Sequence, residues 1–220
     1  MDLTGEKDGP PTKIGMAYAD IMTGLYGVIG IQAALHQRAK TGRGQHVDMA
    51  LLDTMVGTLA NQAMNYLVSG VVPHRMGNAH PNIVPYEAFP TSDGWLIIAV
   101  GNDTQFARLA HVLGLDVRPE WATNSLRVQN REELCPLIAE RTQTFARDAL
   151  LEALEAERIP AGPIHDVAEA LADPQIVARG MVLDMQREDG TKVKGIRTPI
   201  RFSDAELAVG KPSPLLPRKD

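Results

Sequence analysis

A single cysteine, Cys135, stands in the 220-residue sequence. No intrachain disulfide framework can form, and one thiol suits a reducing cytoplasm, which is the expected location. Basic residues are outnumbered: 22 Lys and Arg face 27 Asp and Glu, a net charge of −5 that argues against nucleic acid as the main partner. No uncharged apolar run reaches the roughly 20 residues of a membrane-spanning helix, because 21–35 is too short and is broken by glycines and polar side chains. Residues 1–15 are polar and rich in Gly, Pro and charge, so no signal peptide is expected there. The six histidines (36, 46, 74, 80, 111 and 165) show no helical pairing and no partner cysteines, so no metal site is expected. With 44% hydrophobic residues, the chain can build a real core.

The order of signals predicts an α/β protein, α+β when these residues are taken alone. Residues 1–14 read as loop around Gly9-Pro10-Pro11. A helix is expected from about Ile21 to Gln37, with Asp20 as its N-cap and an end near Thr41-Gly42. Gly24, Gly27 and Gly30 leave one face of it bare, open to close approach by another backbone. Residues 45–50 read as a short strand, and Asp53 as the cap of a second helix over 54–69. Residues 71–85, with three prolines and Gly77, read as a linker. A hairpin is expected across Ser92-Asp93-Gly94, then a helix from Asn102 or Asp103 to Leu113, closed by Gly114. Further helices are expected at about 131–144, 147–156 and 167–171, and a second hairpin across Glu188-Asp189-Gly190. The expected organisation is 1–70, a linker at 71–85, a small α+β domain at 86–197, and an extended segment at 198–220.

One acid stands out. Asp20 lies alone in the otherwise uncharged run from Gly15 to Leu35, where an apolar segment turns into a helix. A plain N-cap explains it without chemistry, worth about 0.5–2 kcal/mol. The same geometry also suits a nucleophile, because the helix macrodipole stabilises the anion and holds it in one orientation. Lys40 and Arg43 beside Gly42 and Gly44 suggest a phosphate contact, with a solvated turn as the better reading. Cys135 has no sequence neighbour that would activate it.

The run Asp20-Ile21-Met22-Thr23-Gly24 resembles the nucleophile segment of the class III coenzyme A transferases. This is the CaiB/BaiF group, which includes formyl-CoA transferase-like enzymes and α-methylacyl-CoA racemases. Leu3–Thr12 is similar to the loop before that segment, and Arg38–Gln45 with Val47-Asp48-Met49 to the strand and helix after it. Gly77–Pro81 with Pro85-Tyr86, Ala122-Thr123-Asn124 and Ile159–Pro163 are similar to parts of the small domain. The resemblance covers nearly the whole sequence.

It implies the helical part of a large CoA-transferase domain, followed by a small α+β domain, in a family of interlocked homodimers. Coenzyme A would then pass from an acyl-CoA to a small carboxylic acid through mixed anhydrides and an aspartyl-CoA thioester, with Asp20 as catalytic nucleophile. Gly77, Asn78, His80 and Tyr86 become candidates for substrate binding. No permanently bound cofactor or metal is implied; coenzyme A enters as substrate. Where some members carry a glycine-rich run, this sequence has Asn78-Ala79-His80-Pro81-Asn82. The family's chains are longer at the N-terminus, where most of the CoA-binding residues lie, so a C-terminal portion is the expected identity. Two alternatives stay open: a racemase-like enzyme in which Asp20 exchanges an α-proton with a histidine partner, and a non-catalytic fragment that folds only with partner chains.

Overall fold

The computed structural model describes residues 1–207 and 211–215. Its contacts divide the chain into two compact units, Met1–Gly162 and Pro163–Asp220. Among the described residues no helix is long and apolar enough to cross a membrane.

The first unit begins with a loop that leads into α1 (Tyr18–Thr41). The helix starts earlier than expected. Asp20 is not its cap: Ala17 holds that position without a side-chain bond, Ile21 N–H already reaches Ala17 O, and Asp20 sits in the first turn. There it still meets the positive end of the macrodipole. The far end follows expectation: Gly42 is left-handed (φ 70°), its N–H bonds Arg38 O, and Arg38 and Lys40 complement the negative pole. None of the 24 residues of α1 is buried. Gly24 and Gly27 face open space, whereas a Cβ at Gly30 would lie 3.1 Å from Val47 Cγ1.

The strand expected at 45–50 does not form. Ala50 is extended (φ −116°, ψ 135°), but no described neighbour pairs with this stretch, and a strand without a partner has no ladder. The helix expected over 54–69 is two helices, α2 (Leu51–Gly57) and α3 (Ala60–Ser69). Asp53 lies in the first turn of α2 and does not cap it; Ala50 takes that place. The break follows Gly57 and uses a left-handed Ala60 (φ 47°). Helix α2 packs against α1.

Residues 71–85 carry no helix or strand, yet they are tied down. Asn65 and Asn82 exchange amide hydrogen bonds, and Asn124 accepts from Val84 N–H while donating to Asn82 O. The hairpin then forms as expected, β1 (Tyr86–Pro90) antiparallel to β2 (Trp95–Ala99), with Ala88 opposite Ile97. Leu96, Ile98 and Val100 alternate inward and are fully buried, while Trp95 at the turn stays half exposed. A short β3 (Ala161–Pro163) flanks β2.

Helix α4 (Asp103–Leu113) is bounded by the expected residues. Asn102 Oδ1 accepts from Gln105 N–H, and Gly114 is left-handed at the other end. Next come a 3-10 turn (Pro119–Trp121), α5 (Asn124–Gln129), α6 (Arg131–Thr142) and α7 (Arg147–Ala156). Phe106, Leu109, Leu113, Leu134, Ile138, Leu150 and Leu154 project from these helices onto the hairpin and close one core with Val84, Phe89 and Trp121.

The second unit holds α8 (Val167–Ala172), α9 (Pro174–Ala178) and the expected second hairpin. Asp166 and Glu169 form a capping box on α8, and the Asp173 carboxylate accepts from Gln175 and Ile176 N–H on α9. The hairpin pairs β4 (Val182–Gln186) with β5 (Lys192–Ile196), turning through left-handed Gly190. The tail expected to be extended carries no helix or strand over 198–207 and 211–215; its remaining residues, 208–210 and 216–220, lie outside the described ones.

Candidate active site

The loop of residues 1–14 is a built structure. Thr12 N–H bonds Thr4 O, Gly9 N–H bonds Glu6 O, and Gly77 N–H bonds Gly5 O. Gly5 is left-handed (φ 120°), and a Cβ there would fall 2.6 Å from Thr12 Oγ1 and 2.9 Å from Pro10 O, so only glycine closes this turn. Arg75 clamps Asp2, donating at 2.9 Å to its backbone oxygen and at 2.9 Å to its carboxylate. Pinned in this way, the loop and the start of α1 face the junction of α2 and α3.

Between them lies a cavity of about 800 Å³. It is lined by Met1–Thr4, Lys13, Ile14, Met16–Asp20, Met55 and Thr58–Gln62. That volume falls in the range of small-molecule sites, roughly 300–1,000 Å³. Asp20 reaches it from the first turn of α1, exposed and ready to meet a ligand. In that turn Tyr18 N–H bonds Met16 O and Ile21 N–H bonds Ala17 O, so the macrodipole and the remaining N–H groups, those of Ala19 and Asp20, favour negative charge beside the carboxylate. Two buried oxygens, Gln62 Oε1 in the lining and Thr23 Oγ1 on α1, have no hydrogen-bond partner among the described residues.

The other four candidates gather elsewhere. Gly77, Asn78, His80 and Tyr86 surround the entry to β1 and do not line the Asp20 cavity. Their polar atoms hold the local chain: Asn78 Oδ1 accepts from Ala88 N–H at 2.6 Å, His80 Nδ1 from Asn82 N–H at 3.1 Å, and left-handed Gly77 makes the turn. The His80 ring stacks on Tyr86 with centroids 5.2 Å apart. Desolvation, then the charge of Arg131, lowers the His80 pKa from its ordinary 6.5. The unfolded chain therefore binds more protons than the folded one around and below that value, and stability rises with pH through this window. Protonation would also remove the Nδ1 acceptor that Asn82 N–H uses. In denaturant titrations at pH 5 and pH 7.5, the wild type is expected to be less stable at pH 5, and His80→Gln to reduce the difference.

A second cavity, about 460 Å³, lies beside β1 and α6 and includes Lys7, His74, Glu87, Arg131, Glu132 and Cys135. Its thiol is no nucleophile: burial, with the Glu87 hydrogen bond and charge behind it, pushes the Cys135 pKa far up. Lys7 and Glu132 are paired to each other at 2.6 Å. Lys40 and Arg43 sit on an exposed turn around Gly42. Among the described residues no group of three or more His, Cys, Asp or Glu side chains could hold a metal ion.

Residues 1–219 match the model of CoA-transferase family III. The chain belongs to that family. Among its family III relatives, the succinate–glutarate CoA-transferase of Agrobacterium fabrum is 51% identical over 98% of this chain and 55% of its own length. The human succinyl-CoA:glutarate CoA-transferase is 36% identical over 98% of this chain and 50% of its own. The chain thus spans about half the length of these curated relatives. A crystal structure of a CaiB/BaiF family protein from Brucella suis is 57% identical and superposes with a TM-score of 0.81, covering 98% of this chain and 57% of that one. The mixed helix-and-sheet architecture is the one that family III structure displays.

The sequence singled out Asp20 and its loop but not Lys13, Met55, Asn61 and Gln62, which line the same cavity. Met55, Asn61 and Gln62 reach the cavity around the α2–α3 break, for which the local signal is Gly57, whereas Lys13 comes from the stretch before α1.

Proposed function

We propose that this chain carries the nucleophile of a CoA transferase, and that Asp20 is that nucleophile. The observation that carries the reading is the placement of Asp20: an exposed carboxylate in the first turn of a long helix, lining a ligand-sized cavity in a family III chain. The Asp20 carboxylate attacks the thioester carbonyl of an acyl-CoA, and the CoA thiolate leaves as a mixed anhydride forms. The thiolate then attacks the aspartyl carbonyl, releasing the first acid and leaving an aspartyl-CoA thioester. The second acid displaces CoA to give a new mixed anhydride, and CoA attacks its acyl carbonyl, which regenerates Asp20. Free N–H groups at the start of α1 stabilise the oxyanions formed at the aspartyl carbonyl.

The substrates in this reading are small carboxylic acids and their CoA thioesters, the class that includes the succinate and glutarate of the relatives' names. Coenzyme A is substrate, and no permanent cofactor takes part. Residues 1–70 belong to a large domain and 86–197 to a small one, in an interlocked homodimer working in the cytoplasm. The unburied α1 supports such an assembly. Ile21, Leu25, Val28, Ile29, Ile31 and Leu35 are all exposed beside its glycine face, an apolar surface that these residues alone leave in water.

The test incubates the complete gene product containing these residues with an acyl-CoA and a second, isotopically labelled acid, and follows thioesters by mass spectrometry. A labelled thioester of the second acid is the expected product. Exchange of an α-proton with solvent deuterium, without any new thioester, would instead support racemase chemistry.

A further inference from the structure

We propose that Lys13 is the specificity-determining residue for the second carboxylate of a dicarboxylic substrate. The inference rests on the reading of Asp20 as nucleophile and deepens it, from small carboxylic acids in general to diacids and their CoA half-thioesters.

The charges lining the Asp20 cavity carry the argument. Its charged side chains are Asp2, Lys13 and Asp20. Asp2 is engaged by Arg75 at 2.9 Å, and Asp20 is the reacting group. Lys13 is the only Lys or Arg among the described lining residues, and it forms no ion pair with a described carboxylate. Its ammonium donates once, to Ile14 O at 2.8 Å, which leaves two N–H donors free. An unpaired cation therefore shares a cavity with two acids.

A diacid that reacts through one end at Asp20 must place its other carboxylate within the same cavity. Neither acid of the lining holds that second charge: Asp2 is taken by Arg75, and Asp20 repels it until it is acylated. Among the described lining side chains Lys13 alone attracts it, through charge-assisted hydrogen bonds that a second carboxylate makes and a monocarboxylic acid cannot. In the same lining, the buried Oε1 of Gln62 has no partner among the described residues. Turned over, the same amide offers N–H donors to a carboxylate or thioester oxygen. Lys13 lines the cavity from the stretch just before α1, and its flexible four-carbon stem adjusts the ammonium to the length of the diacid.

The test compares wild type with Lys13→Met in the complete gene product, with succinyl-CoA and butyryl-CoA as donors and glutarate and butyrate as acceptors. The ratio of dicarboxylate to monocarboxylate kcat/KM is expected to fall by about 10–100-fold in Lys13→Met, chiefly through KM, and to recover in Lys13→Arg. An unchanged ratio overturns the proposal. So does an equal loss for both classes, which would assign Lys13 to the phosphates of coenzyme A or to the fold. Wild-type protein that moves CoA to neither class defeats the Asp20 reading itself, an outcome distinct from an unchanged ratio in an active enzyme.

Discussion

Replacing Asp20 with alanine is expected to lower CoA transfer by on the order of 10⁴-fold or more, the scale of loss when a covalent nucleophile is deleted. The stability of the protein should hardly move. Asp20 is exposed, it does not cap α1, and its side chain makes no hydrogen bond among the described residues. Such surface positions usually shift stability by less than about 0.5 kcal/mol. Alanine even favours the helix slightly, although a favourable charge near the positive pole is lost. Asp20→Asn should be as inactive, because the amide keeps the shape but cannot attack a thioester. Steady-state transfer assays beside thermal melts separate the two effects. A variant that melts normally and turns over normally would remove Asp20 from the mechanism.

Arg127→Ala is expected to cost about 3–5 kcal/mol of stability. Arg127 is fully buried, the largest polar group in the core. Its Nε donates to Val84 O at 2.8 Å, one terminal nitrogen to Trp121 O at 2.9 Å, and the other to Asp103 Oδ1 at 2.8 Å. The guanidinium carbon lies 4.4 Å from the centroid of Phe106, an added cation–π contact. One side chain thus ties the end of 71–85, the 3-10 turn and the start of α4 to α5. Deleting it orphans two carbonyls and opens a hole beside Phe106. Asp103 is half exposed, so water replaces its share, and Asp103→Asn should cost about 1 kcal/mol or less. Urea unfolding of both variants checks the ordering. An Arg127→Ala protein within 1 kcal/mol of wild type would contradict this role.

Local chemistry was legible wherever a short stretch decides its own structure. Asn102 and Gly114 bound α4 because a side-chain cap and a left-handed glycine act within a few residues. The hairpin at Ser92–Gly94 formed because alternation and turn residues agree. Long-range decisions were not legible. An arginine reads as a surface residue, and nothing near position 127 announces that Val84, Trp121 and Asp103 will surround it. The break between α2 and α3 turns on a left-handed alanine, Ala60, which composition disguises as a helix former. Asp20 illustrates both sides. The sequence singled it out as the lone acid in an uncharged run, but placed it one step outside the helix, because Ala17 starts the helix without a side-chain bond. The stretch at 45–50 has the residues of a strand and finds no described partner, which no local pattern could foretell.

The central claim is that Asp20 becomes covalently acylated, and trapping tests it most directly. The complete gene product is incubated with succinyl-CoA, quenched with hydroxylamine or borohydride, and digested, and modified peptides are mapped by mass spectrometry. The account predicts a modification on Asp20 that requires the acyl-CoA and vanishes in Asp20→Asn. A folded, active protein that is modified at another residue, or at none, would contradict it.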